Sequence, residues 1–255
     1  MRIQLMRLLD GIEINTEAEF PQLDIDEYDS PEAIARHLRV MWRLPLGPVS
    51  NVVAAIERAG GLVLPLEFGT TLLDAVSQWP PGGPPMIFVS NTNPGDRMRF
   101  TLTHELGHLI MHARPTEDME AEADRFAAEF LMPAREVRSD LQPPLTIARL
   151  AALKPYWKVS IAALARRARD LGTIDQNRYR RLFTELGVHG YRKNEPNPIP
   201  VEEPKLARSI MDAYQRDLSY SVAELAKVGR MAEPEFRSVY RLDGPRQALR
   251  IVGSK

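Results

Sequence analysis

The sequence has no cysteine, only five histidines and no run of apolar residues long enough to span a membrane. Without cysteine the chain has no disulfide, iron–sulfur cluster or thiol nucleophile, so histidines and carboxylates must hold any metal. The N-terminal segment turns acidic after about ten residues and lacks the apolar stretch of a secretory signal. These absences predict a cytoplasmic protein without a membrane partner.

The rest of the composition is that of a folded protein with an uneven distribution of charge. Apolar residues make up 44% of the chain, which is enough for a hydrophobic core. Residues 1–140 hold 12 Lys and Arg against 22 Asp and Glu, and residues 141–255 hold 21 against 12, so the halves carry −10 and +9. Such halves contact different partners, attract each other, or are simply solvated. The basic C-terminal half is the candidate for a contact with DNA.

Helix and strand signals predict a mixed α+β chain. Ser30 followed by Pro31 predicts the start of a helix, and the segments GLVLPLEF and PPMIFVSN predict two short strands. Apolar residues three and four apart predict several helices downstream, and Pro-rich residues predict a linker. The predicted domains are an N-terminal extension at 1–29, a core at 30–140, a helical extension at 141–193, the linker at 194–204 and a C-terminal helical module at 205–255.

Residues 104–108 read His-Glu-Leu-Gly-His, on a predicted helix capped by Asn93. The spacing puts His104 and His108 on one helix face, as two ligands of one zinc ion require. Glu105 lies about 100° round the helix, where its carboxylate can accept the proton of an attacking water without being a ligand. The motif therefore predicts a Zn²⁺ site with Glu105 as the general base.

A catalytic zinc keeps three protein ligands, so a third must come from elsewhere in the chain. The segment MEAEADRFAAEFLMP predicts a second amphipathic helix. Its phase puts Glu120 and Asp124 at the margin of the apolar stripe, with Glu122 and Glu129 roughly opposite. We therefore predict Glu120 as the third ligand and Asp124 as the acceptor that orients a ligating imidazole, and we expect Glu122 to face solvent.

The segments RMRFTLTHELGHLIMH and EAEADRFAAEFLMP, with LPLGPVSN and NTNPGDR upstream, closely resemble the ImmA/IrrE metallo-endopeptidases. The resemblance covers roughly residues 30–195. It implies a zincin-like core, made of a small sheet, the HExxH helix and a second ligand helix, followed by a C-terminal helical region. It also implies His104, His108 and Glu120 as zinc ligands, Glu105 as the catalytic glutamate and a transcriptional repressor as the protein substrate.

Two functions follow from these residues. The first is a zinc-dependent endopeptidase, and the alternative is a metal-containing transcriptional regulator that binds DNA or protein without proteolysis. Glu105 separates the two in part, because hydrolysis needs its carboxylate and a structural zinc does not.

Several side chains keep more than one interpretation. His112 lies one turn past His108 and is predicted to support the metal ligands or to be structural. The group that stabilises the oxyanion stays open among Tyr156, His112 and arginines. Arg99 either binds a carboxylate or is solvated. The predicted strand at residues 86–90 either adds an extended peptide or is a plain core strand.

Overall fold

The computed structural model describes residue 8 and residues 16–70, 72–240 and 242–243. Over these residues the chain forms one three-stranded sheet, eleven α-helices and a short 3-10 helix, so the predicted α+β class is confirmed. Within the same residues, none of the helices has both the length and the apolar character that crossing a membrane requires. The helices are α1 (Pro31–Met41), α2 (Val52–Arg58), α3 (Gly95–Met111), α4 (Met119–Leu131), α5 (Ala134–Val137), α6 (Ile147–Trp157), α7 (Ile161–Asp170), α8 (Gln176–Val188), α9 (Leu206–Asp217), α10 (Val222–Val228) and α11 (Glu233–Val239).

The chain divides into two compact units that are not continuous in sequence. The first unit comprises Met1–Phe20, Val53–Asn91 and Glu203–Lys255, and the second comprises Pro21–Val52 and Thr92–Glu202. The predicted domains are consecutive segments of the sequence, whereas each of these units combines segments that are far apart in it. The predicted domain boundaries stay a prediction.

The sheet of the first unit consists of β1 (Leu62–Leu66), β2 (Ala75–Gln78) and β3 (Met86–Ser90), in the order β1-β3-β2. The two predicted strands are β1 and β3, which pair in parallel with Leu62 opposite Met86. The sequence did not predict β2, which pairs antiparallel with β3. Because β3 is paired on both sides, the hypothesis that this strand adds an extended peptide is wrong.

The hydrophobic core of the first unit joins the sheet to the C-terminal helices. Alternate residues of a strand point to one face, and here Leu62, Leu64, Met86 and Phe88 form one buried cluster with residues from α9, α10 and α11. The helical contributors include Ile210, Met211, Tyr214, Leu225, Phe236 and Tyr240. The helices at 205–243 therefore bury their apolar faces on the sheet rather than only on one another.

The second unit is built on the crossing of α3 and α4. Gly107 lies at this crossing, where an added Cβ would come within 3.1 Å of the Phe126 ring and 3.3 Å of the Cα of Ala123. Helix α1 also packs on α4, and it begins as predicted, with the Ser30 side chain accepting the backbone N–H of Ala33. Helix α4 is therefore covered on more than one side.

Residues 194–202, here called the strap, are held against the second unit by carboxylates. Glu195 lies 2.7 Å from the ammonium of Lys154, and Glu202 pairs with Arg99. A Cβ at Gly95, the first residue of α3, would overlap the carbonyl oxygens of Ile199 and Pro200. The predicted linker is thus attached to the second unit at Glu195, at Ile199 and Pro200, and at Glu202.

The acidic and basic halves of the sequence meet inside the second unit. Ion pairs join Lys154 to Asp96 at 2.6 Å, Arg166 to Asp124 at 3.3 Å, and Arg167 to Glu129. In each pair the acid precedes residue 141 and the base follows it. The charge division of the sequence therefore corresponds, at these pairs, to attraction between the halves.

Candidate metal centre

Helix α3 carries the His-Glu-x-x-His motif. The i, i+4 spacing brings the two rings together, and the Nε2 atoms of His104 and His108 lie 3.0 Å apart. The helix starts one residue later than predicted, with Pro94 rather than Asn93 at its cap and no side-chain cap. Asp96, in the first turn of the helix, pairs with the buried ammonium of Lys154 at 2.6 Å.

The carboxylate of Glu120, in the first turn of α4, lies beside both rings. One oxygen is 3.3 Å from Nε2 of His104, and the other is 3.4 Å from Nε2 of His108. These three residues each offer one donor atom, and all three atoms lie within 4.8 Å of one another. Two imidazole nitrogens and one carboxylate oxygen form a donor set that suits a divalent transition metal.

Asp124 lies behind His104. Its Oδ1 accepts a hydrogen bond from Nδ1 of His104 at 3.0 Å, and its Oδ2 is 3.3 Å from the guanidinium of Arg166. Burial lowers the pKa of His104, but the hydrogen bond and charge of Asp124, together with the charges of Glu105 and Glu120, outweigh burial, so the pKa is raised overall. The hydrogen bond from His104 holds the pKa of Asp124 below its usual value. Arg166, which the sequence offered only as part of a basic run, thus helps to hold this carboxylate.

His112, at the end of α3, lies behind His108. Its Nδ1 is 3.0 Å from Nδ1 of His108, and its Nε2 is 3.0 Å from a carboxylate oxygen of Glu122. This contact is on the Nδ1 side of His108, so His112 lies away from the Nε2 atoms that would bind a metal. His112 is therefore a poor candidate for the group that stabilises the oxyanion. Burial, with the charge of His104, lowers the pKa of His108 to about 4, so this ring is neutral at pH 7.

Glu122 and Glu129 are largely buried, so the prediction from helix periodicity that they lie opposite the covered face of α4 is wrong. Only 21% of the Glu122 side chain and 1% of the Glu129 side chain are exposed, against 72% for Glu120. A single apolar stripe assumes one covered face, whereas α4 packs on both α1 and α3. The sequence signal for the contact between Glu122 and His112 was His112 itself, which lies four residues after His108 and therefore on the same side of α3.

Two further predicted residues occupy separate places. Glu105 is half-buried on α3, and its charge acts to raise the pKa of His104. Tyr156 is exposed on α6, where its ring packs edge to face on Trp157.

The basic run at 166–181 is largely paired with acids. Four of its arginines contact carboxylates, namely Arg166, Arg167, Arg169 and Arg178.

A helix with two histidines one turn apart, crossed by a second helix that supplies a carboxylate, defines a metallopeptidase of the zincin type. Residues 56–169 match the family described as the IrrE N-terminal-like domain. Over this segment the chain is similar to the ImmA/IrrE metallopeptidases, and the resemblance seen in the sequence is confirmed. No curated protein matches the chain significantly.

Proposed function

We propose that the chain is a zinc-dependent endopeptidase that cleaves a transcriptional repressor or a similar regulatory protein. The observation that carries the proposal is the triangle of residues His104, His108 and Glu120: the two Nε2 atoms lie 3.0 Å apart, and they lie 3.3 and 3.4 Å from the two different carboxylate oxygens of Glu120. Ligands at the usual zinc distances of about 2.0–2.1 Å in a tetrahedron lie about 3.3 Å apart. His104, His108 and Glu120 would hold one zinc ion through three protein ligands, the number usual in catalytic zinc sites.

The chemistry divides between the metal and one carboxylate. A zinc ion held by this triangle would polarise the scissile carbonyl and make a water molecule more acidic. Glu105, next to His104 on α3, accepts the proton of the attacking water and returns it to the leaving amine. Asp124 accepts a hydrogen bond from the Nδ1–H of His104 and so keeps the Nε2 of that ring available to the metal.

Metal analysis tests the proposed site. We expect about one zinc per chain in the purified protein and a large loss in His104→Ala, because that variant lacks one corner of the triangle. His37, on α1, pairs its ring with Tyr28 and is the control position, so His37→Ala should keep its zinc. Equal zinc content in all three proteins would refute the site.

A second variant separates the endopeptidase from the regulator that acts without proteolysis. Glu105→Gln keeps the size of the side chain but cannot accept a proton, so zinc content should persist while cleavage falls by at least about 100-fold. Transcription of the target genes should change together with cleavage. If Glu105→Gln regulates as well as the wild type, the regulator alternative is correct.

The repressor substrate rests on the resemblance to the family. The test is incubation of the zinc-loaded protein with purified small repressors whose genes adjoin its own, with Glu105→Gln as the inactive control. Cleavage by the wild type alone would identify the substrate. The DNA contact has less support, since four arginines of the basic run already contact carboxylates.

A further inference from the structure

A second chain of hydrogen bonds reaches the metal centre from the end of α3. It runs from Nδ1 of His108 to Nδ1 of His112, and from Nε2 of His112 to Glu122, with both distances at 3.0 Å. The His112 side chain is only 3% exposed. Water therefore competes little for the hydrogen bonds of His112, and this ring must find its partners within the protein.

The order of donors and acceptors in this chain follows from elementary chemistry. A neutral imidazole has one N–H donor and one acceptor nitrogen, and an ionised carboxylate only accepts. Nε2 of His112 must then donate to Glu122, which leaves its Nδ1 as an acceptor. His108 must therefore donate from Nδ1, so the lone pair of its ring is on Nε2, the atom that faces His104 and Glu120.

The two histidines of the motif are thus oriented by different acids. His104 donates directly to Asp124, whereas His108 reaches its acid through one intervening ring. The charge of Glu122 also acts on Arg125, but that guanidinium donates two hydrogen bonds to Glu32, at 2.7 and 2.8 Å.

We propose that Glu122, acting through His112, is a positioning residue that fixes the tautomer of His108 with its Nε2 lone pair available to the metal. This inference rests on the proposed metal site. Glu122 and His112 touch neither metal nor substrate in this scheme, and their effect is on the availability of one donor atom. Partners of this kind change metal affinity by about 10 to 100-fold.

The tautomer itself is the first measurement. In the metal-free full-length protein at about pH 8, two-dimensional ¹H–¹⁵N spectra of the imidazole rings distinguish an Nδ1–H from an Nε2–H histidine. We expect His108 in the Nδ1–H form in the wild type, with its signals assigned by comparison with His108→Asn. An Nε2–H form in the wild type would overturn the proposal, whatever the variants do.

Variants at position 122 separate positioning from packing. Glu122→Gln keeps an acceptor oxygen, so it should retain the tautomer and bind zinc within about threefold of the wild type, whereas Glu122→Ala should bind about 10 to 100-fold more weakly. Glu117→Ala removes an exposed acid shortly before α4 and is the control that should change neither. Zinc affinity is read by competition with a chelator.

The outcomes also distinguish this inference from the proposed function. Wild-type affinity in Glu122→Ala would overturn the positioning role, and so would a loss in Glu122→Gln as large as that in Glu122→Ala. If the wild type binds no zinc, the proposed function fails, and the spectra of the metal-free protein still decide the tautomer. The same spectra decide the case if Glu122→Ala does not fold.

Discussion

Glu129 is a carboxylate with 1% of its side chain exposed, and it lies between two arginines. Arg167, itself buried, donates to one of its oxygens, and Arg36 lies 3.2 Å from the other. The backbone N–H of Ala134 also points at this carboxylate, 3.3 Å away. A buried acid with this many donors is a structural group, because each donor offsets part of the cost of removing its charge from water.

Removal of the Glu129 carboxylate should destabilise the protein strongly. Glu129→Ala leaves the buried Arg167 without its acid, for which we expect a loss of about 3–5 kcal/mol in the free energy of unfolding. Glu32→Ala is the matched control, because its partner Arg125 is half-exposed, and it should cost less than about 1 kcal/mol. Urea titration of both variants measures the difference, and equal losses would contradict the prediction.

Gly107 provides a second prediction at single-residue resolution. Gly107→Leu would push side-chain atoms into Phe126 and the backbone of Ala123, so we expect a net loss of about 1–3 kcal/mol and a lower Tm. Gly187→Leu is the control, since its nearest neighbour is the flexible Arg192 side chain and the helix gains at most about 1 kcal/mol from the replaced glycine. A Gly107→Leu protein as stable as Gly187→Leu would show that the crossing has room.

Single-residue reasoning succeeded where geometry within one helix was sufficient. The i, i+4 rule fixes the relation of His104 to His108 whatever surrounds the helix. It failed for Glu122 and Glu129, because their burial depends on helices that sequence periodicity cannot place. Glu120, which was predicted as the third ligand from its place at the margin of the apolar stripe, contacts the two histidines from a largely exposed position.

Among the elements, helix α9 begins without a cap of its own. The residue at its N-cap position, Lys205, makes no side-chain cap, and the carboxylate of Glu57 on α2 accepts the backbone N–H groups of Lys205 and Leu206 instead. Burial raises the pKa of Glu57 to about 7, although these hydrogen bonds act in the opposite direction. The protonation state of the glutamate that caps α9 therefore changes near neutral pH.

The stability of the protein should therefore contain a contribution from Glu57 that falls as the pH rises. Its folded pKa lies above the unfolded value, so the contribution is complete below about pH 4.5 and is lost as the pH passes 7, by up to about 3 kcal/mol. Glu57→Gln stays neutral, so its stability relative to the wild type should increase between pH 5 and pH 8. Urea unfolding at both values measures this change.

The exposed Glu67 provides the control for that experiment, because Glu67→Gln should show the same difference from the wild type at both pH values. A Glu57→Gln protein that differs from the wild type equally at pH 5 and pH 8 would contradict the assigned burial effect.

The elements that the sequence predicted well are those with local signals. The helix start predicted from Ser30 and Pro31 is present in the structure, and Ser221 and Glu224, three residues apart, form a capping box at the start of α10. Strand β2 was missed because four residues, Ala75–Gln78, offer little alternation and precede a loop rich in Pro and Gly. Its pairing with β3 depends on contacts that no local pattern encodes.

For the whole molecule, the engaged arginines lead to a prediction about DNA. We expect the full chain to show no measurable binding to duplex DNA at about 0.15 M salt, because most arginines of the basic run already contact carboxylates. Fluorescence anisotropy over a range of salt concentrations is the measurement. Asp170→Asn with Glu185→Gln removes the negative charges that pair with Arg169 and Arg178 and should raise the affinity at low salt.

The opposite result for the wild type would be strong binding that weakens steeply with salt. That result would assign the C-terminal half to nucleic acid, as the −10 and +9 division of the sequence allowed. Composition alone could not decide, because it counts charges without showing which of them are paired.

The strap also affects the order in which the protein can be completed during synthesis. Arg99, 1% exposed, pairs with Glu202, which the ribosome adds 103 residues later. Helix α3 therefore leaves the ribosome with a cation that has not yet met its acid, and Lys154 still lacks Glu195. An N-terminal fragment ending before the strap would hold every residue of the candidate metal centre and the Asp96 partner of Lys154, but it would lack Glu195 and the Glu202 partner of Arg99. The centre lies well before the strap in sequence, but its helix acquires the acid that pairs with Arg99 only when residue 202 has been added.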